Sequence, residues 1–319
     1  MDPILFQVGP LAVRWYGALI ALAVLIGSMW TLRAAKRREI DPEALMDLAP
    51  WLVVAGIVGA RAIYVVTSPS AFFGPNGDPL DALKVWQGGI SIHGGILGVL
   101  VAAYIFCRVR GLQFWSVMDV LAPIGALGVI GGRIGNFMNG SDTTGRLTGW
   151  PFGFTWPEPG TATFGAFGRF VFGENLWAGY PGVCSLGSFV PLNECLQRGG
   201  EVVRGPVHLT QAYGALVGVI LIPILFWALR RSRTPGFVFA HFVIWYSVLR
   251  SVIEEPFRDN PLSWQVYLTE GFDAAGIGLF TLTQLVSIPI VLIALYAVLV
   301  MDPEQEDKRD RMSRRARGR

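Results

Sequence analysis

"GGRIGNFMNG", residues 131–140, closes a long apolar run with one arginine and two asparagines set among glycines. Residues 114–132, just before it, carry a single charge, Asp119. Arg133, Asn136 and Asn139 therefore stand where an apolar segment turns polar, and each needs a polar partner there because an unpaired polar group out of water is costly. Arginine offers a planar fork of donors, asparagine offers uncharged donors, and glycine leaves backbone N–H groups open to approach. Two readings follow. The stretch is an anion cradle, or it is a glycine-rich helix end whose polar side chains cap backbone groups.

What lies around the stretch decides its solvent. With 52% hydrophobic and 15% charged residues, the chain is far from a soluble domain. A membrane-crossing helix needs roughly 20 mostly apolar residues. Seven windows qualify: 11–32, 45–67, 88–107, 114–132, 209–229, 237–254 and 279–300. The expected fold is an all-α polytopic membrane protein of seven transmembrane helices. The start, "MDPILFQVGPLAVRWYG", lacks the basic leader and small-residue cleavage site of a signal peptide, so the first span is expected to be retained.

Orientation follows from lysine and arginine in the short connections, which stay on the cytoplasmic side. Arg33, Lys36, Arg37 and Arg38 follow the first span, Arg108 and Arg110 the third, and Arg230, Arg231 and Arg233 the fifth. The tail adds Lys308, Arg309, Arg311, Arg314, Arg315, Arg317 and Arg319, which places 16 of the 26 basic residues on one face. The alternate short connections hold only Lys84 and Arg258. The amino terminus is thus expected outside and the carboxyl terminus in the cytoplasm. The chain divides into four spans over 1–132, an irregular outer cap over 133–208, three spans over 209–301 and a basic tail over 302–319. The tail's mixed charge without apolar periodicity predicts disorder. Cys184 and Cys195 fall in the cap, where an oxidising compartment would let them bridge and a reducing one would leave two thiols. Cys107 reads as a small packed residue. No Cys-x-x-Cys pair occurs, so no metal site is expected.

Ionisable groups inside spans usually face a cavity or partner. Arg14, Arg61, His93, Arg133 and Arg250 all fall within or at the ends of apolar windows. In "YSVLRSVIEE", Tyr246, Arg250 and Glu254 recur every four residues and share one face of a regular helix. The stripe reads either as part of a site or as an Arg250–Glu254 pair that neutralises itself to let the helix insert. His93, in "GGISIHGGILG", is framed by glycines that allow close approach. It reads as a base poised near neutral pH or as a helix–helix hydrogen-bonding residue. For the opening stretch, the anion met at an outer membrane boundary is a phospholipid headgroup.

These segments together resemble the bacterial prolipoprotein diacylglyceryl transferases. "GRIGNFMN" at 132–139 is similar to their Gly-Arg-x-Gly-Asn-Phe-x-Asn signature without a gap. "RWYG" in the first span, "GARAIYV" in the second, "SIHGG" in the third, "HLTQAY" at 208–213 and "YSVLRSVIEE" in the sixth continue the resemblance in order over about 14–260. It implies transfer of the diacylglyceryl group of phosphatidylglycerol to the lipobox cysteine of a preprolipoprotein, with a thioether formed and glycerol phosphate released. By position it implies that Arg133 and Arg250 hold the phosphate. Tyr16, Asn136, Gly145, Tyr246 and Glu254 then belong to the lipid site, with Asn139 and Arg61 as further candidates. His93 is implied as base or orienting residue. The resemblance implies a multi-pass protein of the bacterial inner membrane, in contact with membrane lipids and with its active site near the periplasmic side. No cofactor, metal or nucleic-acid partner is expected.

Three departures stand out. Ser141 occupies the place of the family's glutamate, so Asp142 matches it only with a one-residue insertion. Gly214 follows Tyr213 where an acidic residue is common, and the cap at 150–207 is longer than the family requires. The competing class is a transporter or binding protein whose arginines hold an anion that leaves unchanged, and seven spans do not separate the two. A retinal protein would need a lysine in the last span, which is absent. A His-x4-Asp acyltransferase fails at His93, because Gly98 stands at the aspartate position. A Ser–His protease would need a Gly-x-Ser-Gly context that Ser141 does not have.

Overall fold

The computed structural model describes residues 4–8, 11–75, 77–85, 89, 91–139, 145, 148, 154, 183–184, 202–203, 207–258, 266–267, 278–279 and 281–300. Asp142, Cys195, most of the cap and the 302–319 tail lie outside these residues, as do the side chains of Asn139 and Cys184. Among the described residues, seven helices are long and apolar enough to cross a membrane. They are α1 (Trp15–Arg37), α2 (Pro42–Thr67), α3 (Ile92–Arg110), α4 (Phe114–Asn139), α5 (Thr210–Arg231), α6 (Phe237–Leu249), which reaches membrane-crossing length only with the helical turns that continue it to Phe257, and α7 (Leu282–Val300). Each presents large apolar side chains outward, for example Leu25, Trp51, Val109, Trp115, Val219, Trp245 and Ile293. Such faces suit lipid rather than water. The fold is therefore a helical, multi-pass membrane protein.

Two boundaries differ from the sequence reading. α4 runs through Asn139 instead of stopping at 132, so Arg133, Asn136 and Asn139 ride on a helix and not in a loop. The glycines that made this stretch look like an end are tolerated because they pack against a neighbour: a Cβ at Gly135 would stand 2.9 Å from the Tyr16 Cα. The first span starts at Trp15, since Leu11–Arg14 forms strand β2, paired antiparallel with β1 (Ile4–Val8). Arg14 closes that hairpin and is exposed. The other strands are two-residue ladders, β3 (Val183–Cys184) with β4 (Val202–Val203) and β5 (Val266–Tyr267) with β6 (Gly278–Leu279).

The chain divides into two compact units, Trp30–Val120 and Met1–Met29 with Leu121–Arg319. In the first, Asp41 caps α2 by accepting the Glu43 N–H at 3.0 Å, with Pro42 opening the helix where its missing N–H costs nothing. α2 and α3 meet backbone to backbone: a Cβ on Gly59 would strike the Gly94 carbonyl, and one on Gly98 the Ala55 carbonyl. α3 ends at Gly111, whose positive φ of 67° lets the following Leu112 N–H return to the Cys107 carbonyl at 2.8 Å. Cys107 itself is fully buried. A buried ion pair, Arg38 to Asp119 at 2.7 Å, and a Thr31 Oγ1 hydrogen bond to the Val120 carbonyl at 2.8 Å tie the ends of α1 and α4 in this unit.

In the second unit the core is Ala122, Ala126, Val217, Leu221, Leu225 and Val238, with Phe242, Leu249 and Ile253 packed against it. α4 is held between α1 and α5 through small residues on both sides. A Cβ at Gly131 would lie 2.9 Å from the Leu19 carbonyl, and one at Gly218 would lie 2.9 Å from the Ala126 carbonyl. This clamping fixes the last turns of α4, where Arg133 sits.

Candidate functional site

α6 does not continue as a regular helix. Arg250–Glu254 forms one wide π turn, in which the Glu255 N–H donates to the Arg250 carbonyl five residues back, and a 3-10 turn over Glu255–Phe257 follows. Successive residues on an α-helix point about 100° apart, so two adjacent carboxylates cannot both face one partner set. Here they do. Glu254 and Glu255 are both buried, at 1% and 0% exposure.

Around them gather three guanidinium groups. Arg133 from α4 forms an ion pair with Glu254 through Nη2 and Oε1. Arg250 brings its Nε to 3.5 Å from Glu255 Oε2, and its Nη1 donates to the Tyr246 hydroxyl at 3.0 Å. Arg258 Nη1 spans the two carboxylates, 3.6 Å from Glu254 Oε1 and 3.9 Å from Glu255 Oε2. Burial, reinforced by the nearby Arg133 charge, pulls the Arg258 guanidinium below the usual arginine range. Among the described residues, three guanidinium groups against two carboxylates leave one positive charge in this cluster, a balance suited to a bound anion.

The backbone has been cut away to admit this cluster. A Cβ on Gly214 of α5 would stand 2.7 Å from Glu254 Oε2 and 2.8 Å from Arg133 Cδ, so the ion pair lies directly on the α5 main chain. Gly145 makes an antiparallel bridge to Arg258, and a Cβ there would strike the His208 carbonyl. The His208 ring is buried, with Nδ1 3.1 Å from the Tyr213 hydroxyl and its centroid 4.6 Å from that of Phe257. This aromatic group braces the start of α5 against the end of α6.

The structure thus brings Arg133, Gly145, Tyr246, Arg250 and Glu254 into one neighbourhood. Tyr16 packs on Gly135, one turn along α4 from Gly131, and Asn136 is half-buried three residues beyond Arg133. The predicted 246–250–254 stripe gains a second carboxylate. Arg250 faces both Glu254 and Glu255, with its Nε 3.5 Å from Glu255 Oε2, while Glu254 also pairs with Arg133, because the π turn brings residue 255 round to the same side.

His93 and Arg61 belong to the other unit. His93 is the second residue of α3 and its side chain is exposed. Arg61 is buried in α2 with its donors directed to carbonyls: Nε to Ala82 at 2.9 Å, Nη1 to Gly89 at 2.7 Å and Nη2 to Asp81. Phe72 and Tyr64 flank the guanidinium at 5.0 and 5.7 Å. Its observed work is to hold the segment ahead of α3, which the Ser91 N–H to Ala60 carbonyl bond at 2.9 Å also secures.

A profile of the prolipoprotein diacylglyceryl transferases matches residues 3–300. The chain belongs to this family. It is 48% identical over 291 residues to the phosphatidylglycerol–prolipoprotein diacylglyceryl transferase of Thermus thermophilus, covering 91% of this chain and 95% of that protein. The Deinococcus radiodurans protein of the same name is 39% identical over 304 residues, 93% of this chain and 84% of the relative. The one from Thermoanaerobacter sp. is 30% identical over 309 residues, 96% and 97%.

In this family member, sequence reasoning missed Glu255, Arg258 and the packing role of Gly214. The signal for the first was present in "EEPF": a proline two residues after Glu254 removes a backbone donor and breaks the regular hydrogen-bond ladder of a helix ending there. Nothing local in the sequence marks Gly214 as lying under an ion pair formed by two other helices.

Proposed function

We propose that the chain transfers the sn-1,2-diacylglyceryl group of phosphatidylglycerol to the lipobox cysteine of a preprolipoprotein, forming a thioether and releasing glycerol phosphate. The observation that carries this reading is the arrival of Arg133 and Arg250, from separate spans, at one buried charge cluster in which the described residues carry an excess of positive charge. The names of the relatives, which specify phosphatidylglycerol and prolipoprotein, support the choice of donor and acceptor.

The chemistry is a displacement at carbon. The thiolate sulfur forms a bond to the glyceryl carbon that bears the phosphate, the C–O bond breaks, and its electron pair leaves with the glycerol phosphate oxygen. A free thiol has a pKa of about 8.5 and is mostly protonated at neutral pH, so a base or a positive field must raise the thiolate fraction. Arg133 and Arg250 hold the lipid phosphate and stabilise the charge that grows on it as the bond breaks. Glu254 holds Arg133, and Tyr246 holds Arg250. Tyr16, Asn136 and Gly145 complete the headgroup site, with Asn139 and Asp142 as further contributors. His93 takes the thiol proton or orients the group that does. The protein lies in the bacterial inner membrane with its amino terminus outward, its 133–208 cap periplasmic and its 302–319 tail cytoplasmic, so that the site opens near the periplasmic face.

The test mixes purified protein, phosphatidylglycerol vesicles and a synthetic lipobox peptide, followed by mass spectrometry. A diacylglyceryl mass increment on the cysteine peptide, absent from its Cys→Ser counterpart, is the expected result. Binding of phosphatidylglycerol without any adduct overturns the transferase reading in favour of a lipid-binding or transport protein.

A further inference from the structure

The π turn creates a hydrogen-bonding problem whose solution comes from another helix. In an α-helix the Ser251 carbonyl would accept the Glu255 N–H, but that donor is taken by the Arg250 carbonyl. The next donor along, residue 256, is a proline and has none. Buried carbonyls are satisfied in nearly all native structures. The Ser251 carbonyl is satisfied by the side-chain Nε2 of Gln284, at 2.9 Å, from the first turn of α7.

Gln284 is itself held by Thr281 in a reciprocal capping box. The Gln284 N–H donates to Thr281 Oγ1 at 3.2 Å, and the Thr281 N–H donates to Gln284 Oε1 at 3.1 Å. The Thr281 hydroxyl in turn donates to Glu255 Oε1 at 3.1 Å, and both groups are fully buried. One cap at the start of α7 therefore grips the π turn at two points, the Ser251 carbonyl and the Glu255 carboxylate. The second of these is the carboxylate that holds Arg250.

We infer that Thr281 and Gln284 are positioning residues for the headgroup site: the capping box of α7 sets the π turn of α6 and, through Glu255, aims the Arg250 guanidinium. The inference rests on the transfer activity proposed above. A helix cap ordinarily stabilises only its own helix, and this one is predicted to govern a reaction carried out by another. Displacing a phosphate-holding group by about 1 Å is enough to cost on the order of a hundredfold in rate.

The decisive variants are Thr281→Val, which keeps the shape and loses the hydroxyl, Thr281→Ser, which keeps the hydroxyl, and Gln284→Glu, which keeps the box acceptor and loses the donor to Ser251. In purified protein assayed with phosphatidylglycerol and lipobox peptide, Thr281→Val and Gln284→Glu are expected to lower kcat by at least about tenfold while KM for phosphatidylglycerol stays within about threefold. Thr281→Ser should stay within about twofold of wild type in both constants. Amide hydrogen exchange over Arg250–Phe257 should accelerate in the two impaired variants and not in Thr281→Ser. Wild-type transfer with unchanged kcat and unchanged exchange in Thr281→Val and Gln284→Glu overturns the inference alone. Equal loss in Thr281→Ser and Thr281→Val also overturns it, because the hydroxyl would then not be the working group. Absence of transfer by the wild-type chain overturns the proposed function and this inference with it.

Discussion

Arg133 and Glu254, carried on α4 and at the end of α6, form a buried ion pair that rests against the main chain of α5 at Gly214. Three spans therefore meet at a single contact. Removing one partner of such a pair leaves a charge uncompensated in a low-dielectric place, which costs more than the pair contributes when intact.

Gly214 is the first place to test this. Alanine is favoured over glycine inside a helix by about 1 kcal/mol, so at an indifferent position Gly214→Ala would stabilise the protein. Here the added methyl group would displace the Arg133 side chain. Gly214→Ala is expected to lower the transfer rate by at least about tenfold through misplacement of that guanidinium. Steady-state kinetics on the purified variant reads the effect, and wild-type rates would contradict the packing described.

Arg133→Lys probes the geometry of the anion contact. Lysine keeps the charge but presents a point donor where arginine presents a fork able to hold Glu254 and a phosphate together. The expected loss in kcat is on the order of a hundredfold for Arg133→Lys and Arg133→Ala alike. Full transfer by the lysine variant would show that charge alone suffices.

Arg61 should behave differently, as a latch on the segment ahead of α3. Arg61→Lys loses at least two of three hydrogen bonds to carbonyls, each worth roughly 1.5 kcal/mol or more. Amide exchange over Leu80–Leu83 and at Gly89 and Ser91 is then expected to rise on the order of a hundredfold. Unchanged exchange there would remove the latch reading and return Arg61 to the candidates for substrate contact.

The seven spans were legible because roughly 20 apolar residues in a row admit few other structures. The end of α4 was not, because Arg133 and Asn136 look like a boundary until Gly131 and Gly135 are seen packed on Leu19 and Tyr16. Arg133, Arg250 and Glu254 stood out because charge is expensive at that depth, and the structure gathers them. Their pairing was hidden, since a reading by helical periodicity assumes a regular helix through residue 255. Pro256 and the π turn break that assumption, and they bring Glu255 to Arg250 beside Glu254. Thr281 and Gln284 read as an ordinary helix start, because a cap's tertiary partner leaves no trace in local spacing.

The glycine contacts between α2 and α3 carry a consequence for traffic. Where Gly59 faces Gly94 and Gly98, the two backbones leave no room for even one added methyl group. An acyl chain is wider than that, so this seam is sealed to lipid along its length of contact. A diacylated substrate sliding in from the bilayer, or a thioether-linked product sliding out, must part some other pair of helices.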